Sequence, residues 1–287
     1  MKQDDIHFIQ FMHPGAEHRP GPDGKIGWNR GPHRRKFLQQ SGRWLTGLGD
    51  QLPRRGDLHF WAEWEPQSEL VRRLPSGDSN GPRFLFRPTF CHPDRLQGLQ
   101  NTDPFVFGES FYYCVCQQRG VMKRLAAGSV ILFGSCRKDA FVLDTVFVVQ
   151  DWVTHDRRSY RTLDIPDVYR AAGLGPLHAG QSSCSPNPGA LRLYRGATHG
   201  NPCHGMYSFF PCLPAAESSG FGRPAIRLPG VISDSLRQGL KAGKAVTLDR
   251  AMELWLSVVK QVREQKLRLG VFAELPSRGE ADRSSRS

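Results

Sequence analysis

Chemistry is most concentrated in the run His59-Phe60-Trp61-Ala62-Glu63-Trp64-Glu65. Read as a strand with period-two alternation, it puts His59, Trp61, Glu63 and Glu65 on one face and Phe60, Ala62 and Trp64 on the other. The second set is a plain core face. The first sets two carboxylates about 6–7 Å apart, with an imidazole and an indole in the same row. Such a row can hold a divalent metal, polarise a water, or hydrogen-bond the edge of a base stacked on Trp61. It can equally be a polar outer face whose acids pair with arginines. Buried, Glu63 would have a raised pKa suited to acid–base work. Because Phe60, Ala62 and Trp64 already supply one apolar face, Trp61 is expected to line a cleft.

Three further features belong to the same inventory. His13-Pro14-Gly15-Ala16-Glu17-His18 echoes a metalloprotease pattern, but its histidines are five apart and Pro14, Gly15 and Pro20 forbid the helix that motif needs. A turn can still gather His13, Glu17 and His18 around a phosphate or a metal. Asn101-Thr102-Asp103-Pro104 reads as a turn into the next strand, with Asp103 able to line the cleft of the Glu63 row. Asp144 lies within an apolar strand, where a buried carboxylate needs a partner, as a satisfied core acid or as a site residue.

The segment 19–55 carries nine basic residues against two acidic ones, a net +7 out of the chain's +12. Trp28, Phe37 and Trp44 are interleaved with them. Arginines neutralise phosphates and indoles stack on bases, so Arg30, Arg34, Arg35, Lys36, Arg43, Trp28 and Trp61 are the expected nucleic-acid contacts. The competing reading is a solvated basic surface with its tryptophans in the core. For catalysis the candidates are Glu63, Glu65 and His59.

Other chemistries are poorly served. The chain has seven cysteines but no C-x₂-C pair, so a zinc ribbon or finger is not indicated; Cys184, His199, Cys203, His204 and Cys212 are the residual set for a structural zinc. No P-loop, G-x-G-x-x-G or G-x-S-x-G occurs. No specific cofactor is indicated beyond a divalent metal, should the protein be an enzyme.

The elements that must position these residues follow from punctuation. Of 287 residues, 30 are Gly and 21 Pro, enough for a turn-rich globular chain but not a low-complexity one. Strands are expected at 6–12, 58–65, 83–90 and 110–117, and at 129–133 and 140–149 across a hairpin connection. A short helix is expected around 34–40. Residues 1–153 thus read as a barrel-like core of five to seven strands with the basic Gly/Pro-rich insertion at 19–55. A loop-rich segment (154–225) has strand candidates at 191–194 and 207–210. A helical segment (226–276) is built on a helix at 247–268 that Thr247 caps and Trp255 anchors, and 277–287 is a disordered tail. The fold class is α+β, mainly β. The polar start, the lack of an 18-residue apolar run and the odd cysteine count suit a cytoplasmic protein with no membrane partner.

Two pieces resemble the PUA-like superfamily, the small barrels that include ASCH, EVE and YTH domains. One is the loop–glycine–polar–strand run Leu125-Ala-Ala-Gly128-Ser129-Val130-Ile131-Leu132-Phe133, and the other the aromatic strand 60–64. The resemblance implies a barrel whose aromatic cleft takes RNA or a flipped, often modified, base, with Trp61 and Trp28 stacking. The basic segment 19–55 departs from a minimal barrel of that kind. Three functions are therefore expected to compete: a nucleic-acid-binding module (DNA or RNA) reading a base; a metal-dependent hydrolase or nuclease built on Glu63, Glu65 and His59; and a basic adaptor for an acidic protein partner.

Overall fold

The computed structural model describes residues 4–75, 81–114, 120–179 and 190–278. It is mainly β, with 39% strand against 16% helix. In chain order the strands are β1 (Phe8–Met12), β2 (Lys25–Ile26), β3 (Lys36–Leu45), β4 (Arg54–Ala62), β5 (Ser68–Arg73), β6 (Phe84–Phe90), β7 (Tyr112–Tyr113), β8 (Val130–Arg137), β9 (Ala140–His155), β10 (Leu191–Gly196), β11 (Phe210–Pro214), β12 (Gly239–Ala242), β13 (Arg268–Ala273) and β14 (Ser277–Arg278). One sheet runs β12-β1-β8-β9-β10-β7, the other β13-β11-β4-β3-β6-β5-β2 with β14 on β6. Since β13 also pairs with β3, the strands β3, β4, β11 and β13 close into a small barrel. Closure needs glycine at Gly42, where a Cβ would stand 2.3 Å from the Phe272 carbonyl oxygen.

The expected hairpin between β8 and β9 is present. Lys138 and Asp139, at φ 48° and 56°, form its two-residue turn, the left-handed pair that fits strand twist. Further along, Phe133 pairs with Thr145 but Gly134 with Leu143, so Asp144 is the extra residue of a β-bulge. Side-chain parity changes across it. Phe141 and Leu143 before the bulge, and Val146 and Val148 after it, all face one core. Asp144 is thereby excused from that apolar face, which strict alternation from Val146 would have given it.

Both faces of the β1-β8-β9 sheet are covered, which is why β1 is buried throughout. Ile9, Phe11, Ile131, Phe133 and Phe147 meet Leu38, Leu58, Phe60 and Trp64 of the barrel sheet in the main core. On the far side, Phe8, Met12, Val130 and Leu132 join Leu254, Trp255, Val258 and Val262 of the long helix, Leu248–Glu264. Thr247 caps that helix by accepting from the Arg250 N–H, and Trp255 anchors it by donating from Nε1 to the Tyr207 carbonyl, 3.1 Å away.

Several expectations need correction. Residues 34–40 are not helical: β3 starts at Lys36, held between β4 and β6, and this pairing overrides the local helix preference. The long helix stops at Glu264; Lys266 is at φ 62° and Arg268 begins β13, so these residues lead into the barrel. The loop-rich segment contributes β10, over the expected 191–194, and β11, which begins only at Phe210, the last residue of the strand expected at 207–210. Residues 1–153 therefore do not close a core alone, because the barrel draws β11 and β13 from beyond them. Cys116, Cys184 and most of the expected tail lie outside the described residues.

At the end of β9, the His155 Nδ1 stands 3.1 Å from the Nε2 of His178, both rings buried. Burial, and then the neighbouring His178, pull the His155 pKa down to about 4 from 6.5. The folded state therefore favours the neutral ring. This contribution is complete above pH 6.5 and is lost as pH falls toward 4, where the unfolded chain binds a proton that the fold refuses. The expected loss between pH 7 and 4.5 is on the order of 1–2 kcal/mol. Urea unfolding at the two pH values should show a smaller loss for His155→Gln than for wild type; equal losses would remove His155 as the cause.

Candidate functional site

Backbone pairing gathers the chemically interesting residues at one end of the space between the sheets. His13 follows β1 and its N–H donates to the Gly134 carbonyl (2.8 Å). Arg35 precedes β3, and its backbone pairs with Ala16 and His18 (both 2.8 Å), laying the His13–His18 turn beside it. Glu63 and Glu65 follow β4. The Glu65 N–H donates to Thr102 Oγ1 (3.0 Å), and its carbonyl accepts from Asn29 N–H (2.8 Å), which ties in the loop carrying His33. Asp144 arrives from the bulge in β9.

The two carboxylates divide their oxygens by role. Glu63 Oε2 takes the guanidinium of Arg35 and lies 3.1 Å from His13 Nδ1. Glu65 Oε2 accepts from Asn29 Nδ2 at 2.6 Å. The Oε1 atoms turn the other way, toward His33 Nδ1, at 3.3 Å for Glu63 and 2.9 Å for Glu65. Glu63 Oε1 also accepts the Asp103 backbone N–H at 3.1 Å. His33, Glu63 and Glu65 each offer one ligand atom within 4.8 Å of the others, the one such His/Cys/Asp/Glu group among the described residues.

Behind Glu63 the charges alternate. Arg35 Nε donates to Asp144 Oδ2 (2.8 Å), and Asp144 Oδ1 faces Arg223 Nη1 (3.4 Å). Arg223 also donates to Ser135 Oγ (2.8 Å) and the Gly15 carbonyl (2.7 Å). Counted formally with His33 protonated, Arg35, Arg223 and His33 balance Glu63, Glu65 and Asp144. The glutamates are covered, with side chains 2% and 1% exposed, while His33 at 28% marks the side open to solvent.

The fields follow from this packing. Burial disfavours a charge on His33, but hydrogen bonds to Glu63 and Glu65 outweigh it and lift the imidazole to about 10. At His13 burial, joined by the nearby Arg35 and His33, outweighs Glu63 and shifts the imidazole down. For Glu63, burial opposes ionisation, yet Arg35 and then His13 hold the carboxyl well below its ordinary range. The raised pKa expected of a buried Glu63 is thus reversed by its cationic partners.

The expected site residues separate into three groups. Glu63, Glu65, His13 and Asp103 come together. Asp103 is buried, and one of its carboxylate oxygens takes the Cys114 N–H (3.1 Å). Around this group the sequence reading missed Asn29, His33 and Arg223; the alternation that selected the Glu63 row gives no signal for residues on loops. A second group is structural. His59 lies apart from the cluster, with Nε2 near Gln39 Oε1 (3.3 Å) and its pKa drawn to about 4 by burial and then by Arg72. Strict alternation fails to join His59 to the glutamates because β4 ends at Ala62. Glu17 binds the backbone N–H groups of Arg83 and Phe84, and His18 Nδ1 faces the Arg19 carbonyl. Trp28 is half-buried against the main core, donating to the Gln100 carbonyl (2.9 Å).

The third group comprises the expected phosphate contacts. Arg35 and Lys36 are buried and do not form a basic surface. Lys36 Nζ donates to the Pro66 carbonyl and Ser68 Oγ (both 2.9 Å), and burial draws it down to about 7, Glu65 opposing. Arg43 lies over Phe272 and pairs with Glu109. Arg30 is exposed and Arg34 half-exposed, on the loop that carries Asn29 and His33.

No family model matches this chain, and no curated protein or solved structure matches it. The two segments that carry the PUA-like resemblance fall in different sheets, 60–64 at the end of β4 in the barrel and 125–133 at the start of β8.

Trp61 is core. It is 2% exposed, packs with Phe37, Leu74 and Leu85, and donates from Nε1 to the Phe221 carbonyl (2.8 Å). The guanidinium of Arg223 lies 5.1 Å from the centre of its ring. Phe221 and Arg223, distant in sequence, cover the face that alternation left open. Trp61→Ala is therefore expected to cost about 3–5 kcal/mol in chemical unfolding. A change below about 1 kcal/mol would return Trp61 to a cleft.

Proposed function

We propose that this protein is a metal-dependent hydrolase of phosphate-bearing substrates, with a divalent cation held by Glu63 Oε1, Glu65 Oε1 and His33 Nδ1. The observation that carries the reading is the division of the carboxylate oxygens. Arg35, His13 and Asn29 hold the two Oε2 atoms from behind, which leaves both Oε1 atoms converging on one imidazole nitrogen. Two carboxylate oxygens and an imidazole suit Mn²⁺, Mg²⁺ or Zn²⁺, and three protein ligands leave positions for water and substrate. To serve as a ligand, His33 Nδ1 would have to give up the proton that it shares with the two glutamates. A divalent cation held there would supply a Lewis acid for a water and for the phosphoryl oxygens of a phosphate ester. His13, held on the inner oxygen of Glu63, would help to orient that carboxylate toward the cation.

The rim supports an anionic substrate. Arg30 and Arg34 flank His33 on its loop, and the chain carries +12 overall, a field that gathers phosphates. A base-reading module without catalysis is less well served, since its stacking residue Trp61 is covered. Nucleic acid, DNA or RNA, remains the polymeric substrate that the charge favours.

Glu65→Gln is the cleanest variant, because Glu63→Gln would strand the buried Arg35 charge. Wild type is expected to bind one Mn²⁺ by calorimetry and to cleave a phosphodiester or a nucleic acid with Mn²⁺ but not with EDTA. Glu65→Gln should weaken the metal by about 10–100-fold, and His59→Gln should leave it unchanged. Undiminished cleavage in EDTA, or Mn²⁺ affinity unaltered by Glu65→Gln, would refute the reading. Salt-sensitive nucleic-acid binding with no turnover would favour the module instead.

A further inference from the structure

The loop that carries His33 is fixed at both ends by the backbone. At its start the Asn29 N–H donates to the Glu65 carbonyl (2.8 Å), the Asn29 carbonyl accepts from the Gln100 N–H (2.9 Å), and the Trp28 indole donates to the Gln100 carbonyl (2.9 Å). At its end the Arg35 N–H donates to the Ala16 carbonyl (2.8 Å). Between these points residues 30–34 must turn so that the His33 ring reaches Glu63 and Glu65.

One side chain closes that turn. Asn29 Oδ1 accepts the Gly31 N–H at 3.0 Å, the two-residue reach by which asparagine mimics a backbone turn. Asn29 Nδ2 donates to the Pro32 carbonyl at 3.0 Å and to Glu65 Oε2 at 2.6 Å. An amide nitrogen carries two hydrogens, so both are committed, one to the loop and one to the carboxylate. The same partners fix which end of the amide is which, since the oxygen meets a donor and the nitrogen two acceptors. Glu65 is held by this anchor. With Oε2 on Asn29 and its backbone N–H on Thr102, Oε1 is the atom that meets His33 Nδ1 at 2.9 Å. Asn29 is half-buried and the Glu65 side chain 1% exposed, so water screens their bond little. The carboxylate and the imidazole are thus oriented by one carboxamide, from two sides.

We propose that Asn29 is the positioning residue of the His33–Glu63–Glu65 site: its carboxamide sets the rotation of the Glu65 carboxylate and the closure of the 29–33 turn together. This rests on the hydrolase reading for the metal, while the arrangement of Glu65 and His33 can be tested without one. Aspartate, the nearest residue in shape, cannot take the place of Asn29. It keeps an acceptor for Gly31 but sets an oxygen against both Glu65 Oε2 and the Pro32 carbonyl, three acceptors with no proton between them. Charge and position then act with opposite signs. An added carboxylate near a divalent cation would tighten it by Coulomb attraction, whereas a displaced Glu65 and His33 loosen it.

The test is calorimetric titration of Mn²⁺ into the full chain, joined to ¹H–¹⁵N NMR of the imidazoles in the metal-free protein. Asn29→Ala and Asn29→Asp should each weaken Mn²⁺ by about 10–100-fold. Both should also shift the metal-free His33 Nδ1 resonance, which His59→Gln leaves in place. The aspartate variant, close in shape to the native residue, serves should the alanine variant fold poorly. A shifted His33 resonance with no Mn²⁺ bound even by wild type would sustain the positioning role and refute the metal centre. An unmoved His33 resonance in a folded variant would overturn the role whatever the metal does. So would wild-type Mn²⁺ affinity retained in Asn29→Ala, or Mn²⁺ bound more tightly by Asn29→Asp.

Discussion

A carboxylate taken out of water must be given a counter-charge, and in this fold the carboxylate is Glu63 and the counter-charge Arg35. An isolated buried ion would cost several kcal/mol, so neither can be placed without the other. Arg35 in turn needs Asp144, and Asp144 needs Arg223. Each of these residues comes from a different part of the chain: the approach to β3, the exit from β4, the middle of β9, and the coil at 223. The chain of charges thus fixes how the two sheets meet at this end. Removing one member would leave a buried charge unpaired, a larger penalty than the net worth of the pair.

Such networks commonly serve stability or specificity alone. What separates this one from a closed structural network is its asymmetry. The inner oxygens of Glu63 and Glu65 meet Arg35, His13 and Asn29, while the outer ones share a single imidazole nitrogen on the side that reaches solvent, that of Glu63 also taking the Asp103 N–H. The bulge at Asp144 belongs to the same design. It moves a carboxylate out of an apolar face and into the ion chain, at the expense of one ladder position.

Much of the architecture was readable in the residues. The mainly β composition, the β8–β9 hairpin, the strand through residue 60 and the Thr247-capped helix follow from alternation, turn chemistry and 3.6-residue spacing. The region of the site was legible as well: the His13 turn, the basic segment, the Glu63 row and the Asn101–Pro104 turn all contribute to it. Their roles were less so. Alternation says that Trp61 faces away from Phe60, but not that Phe221 and Arg223 return to cover it. Composition shows that Arg35 and Lys36 are cationic, but not that they are interior cations, because burial of a charge is decided by partners far along the chain. The helix expected at 34–40 failed for the same reason, its strand state being set by β4 and β6. His33 was one histidine in a basic segment until the fold brought it to Glu65.

The central claim is that the outer oxygens of Glu63 and Glu65 and the Nδ1 of His33 form a metal centre. Crystals soaked with Mn²⁺ and measured for anomalous scattering test it directly. The account predicts a single strong peak at about 2.0–2.3 Å from those three atoms, with Arg35 still on the inner oxygen of Glu63. A map without a peak there at saturating Mn²⁺, with His33 still bonded to both glutamates, would contradict it and leave the cluster a purely structural ion network.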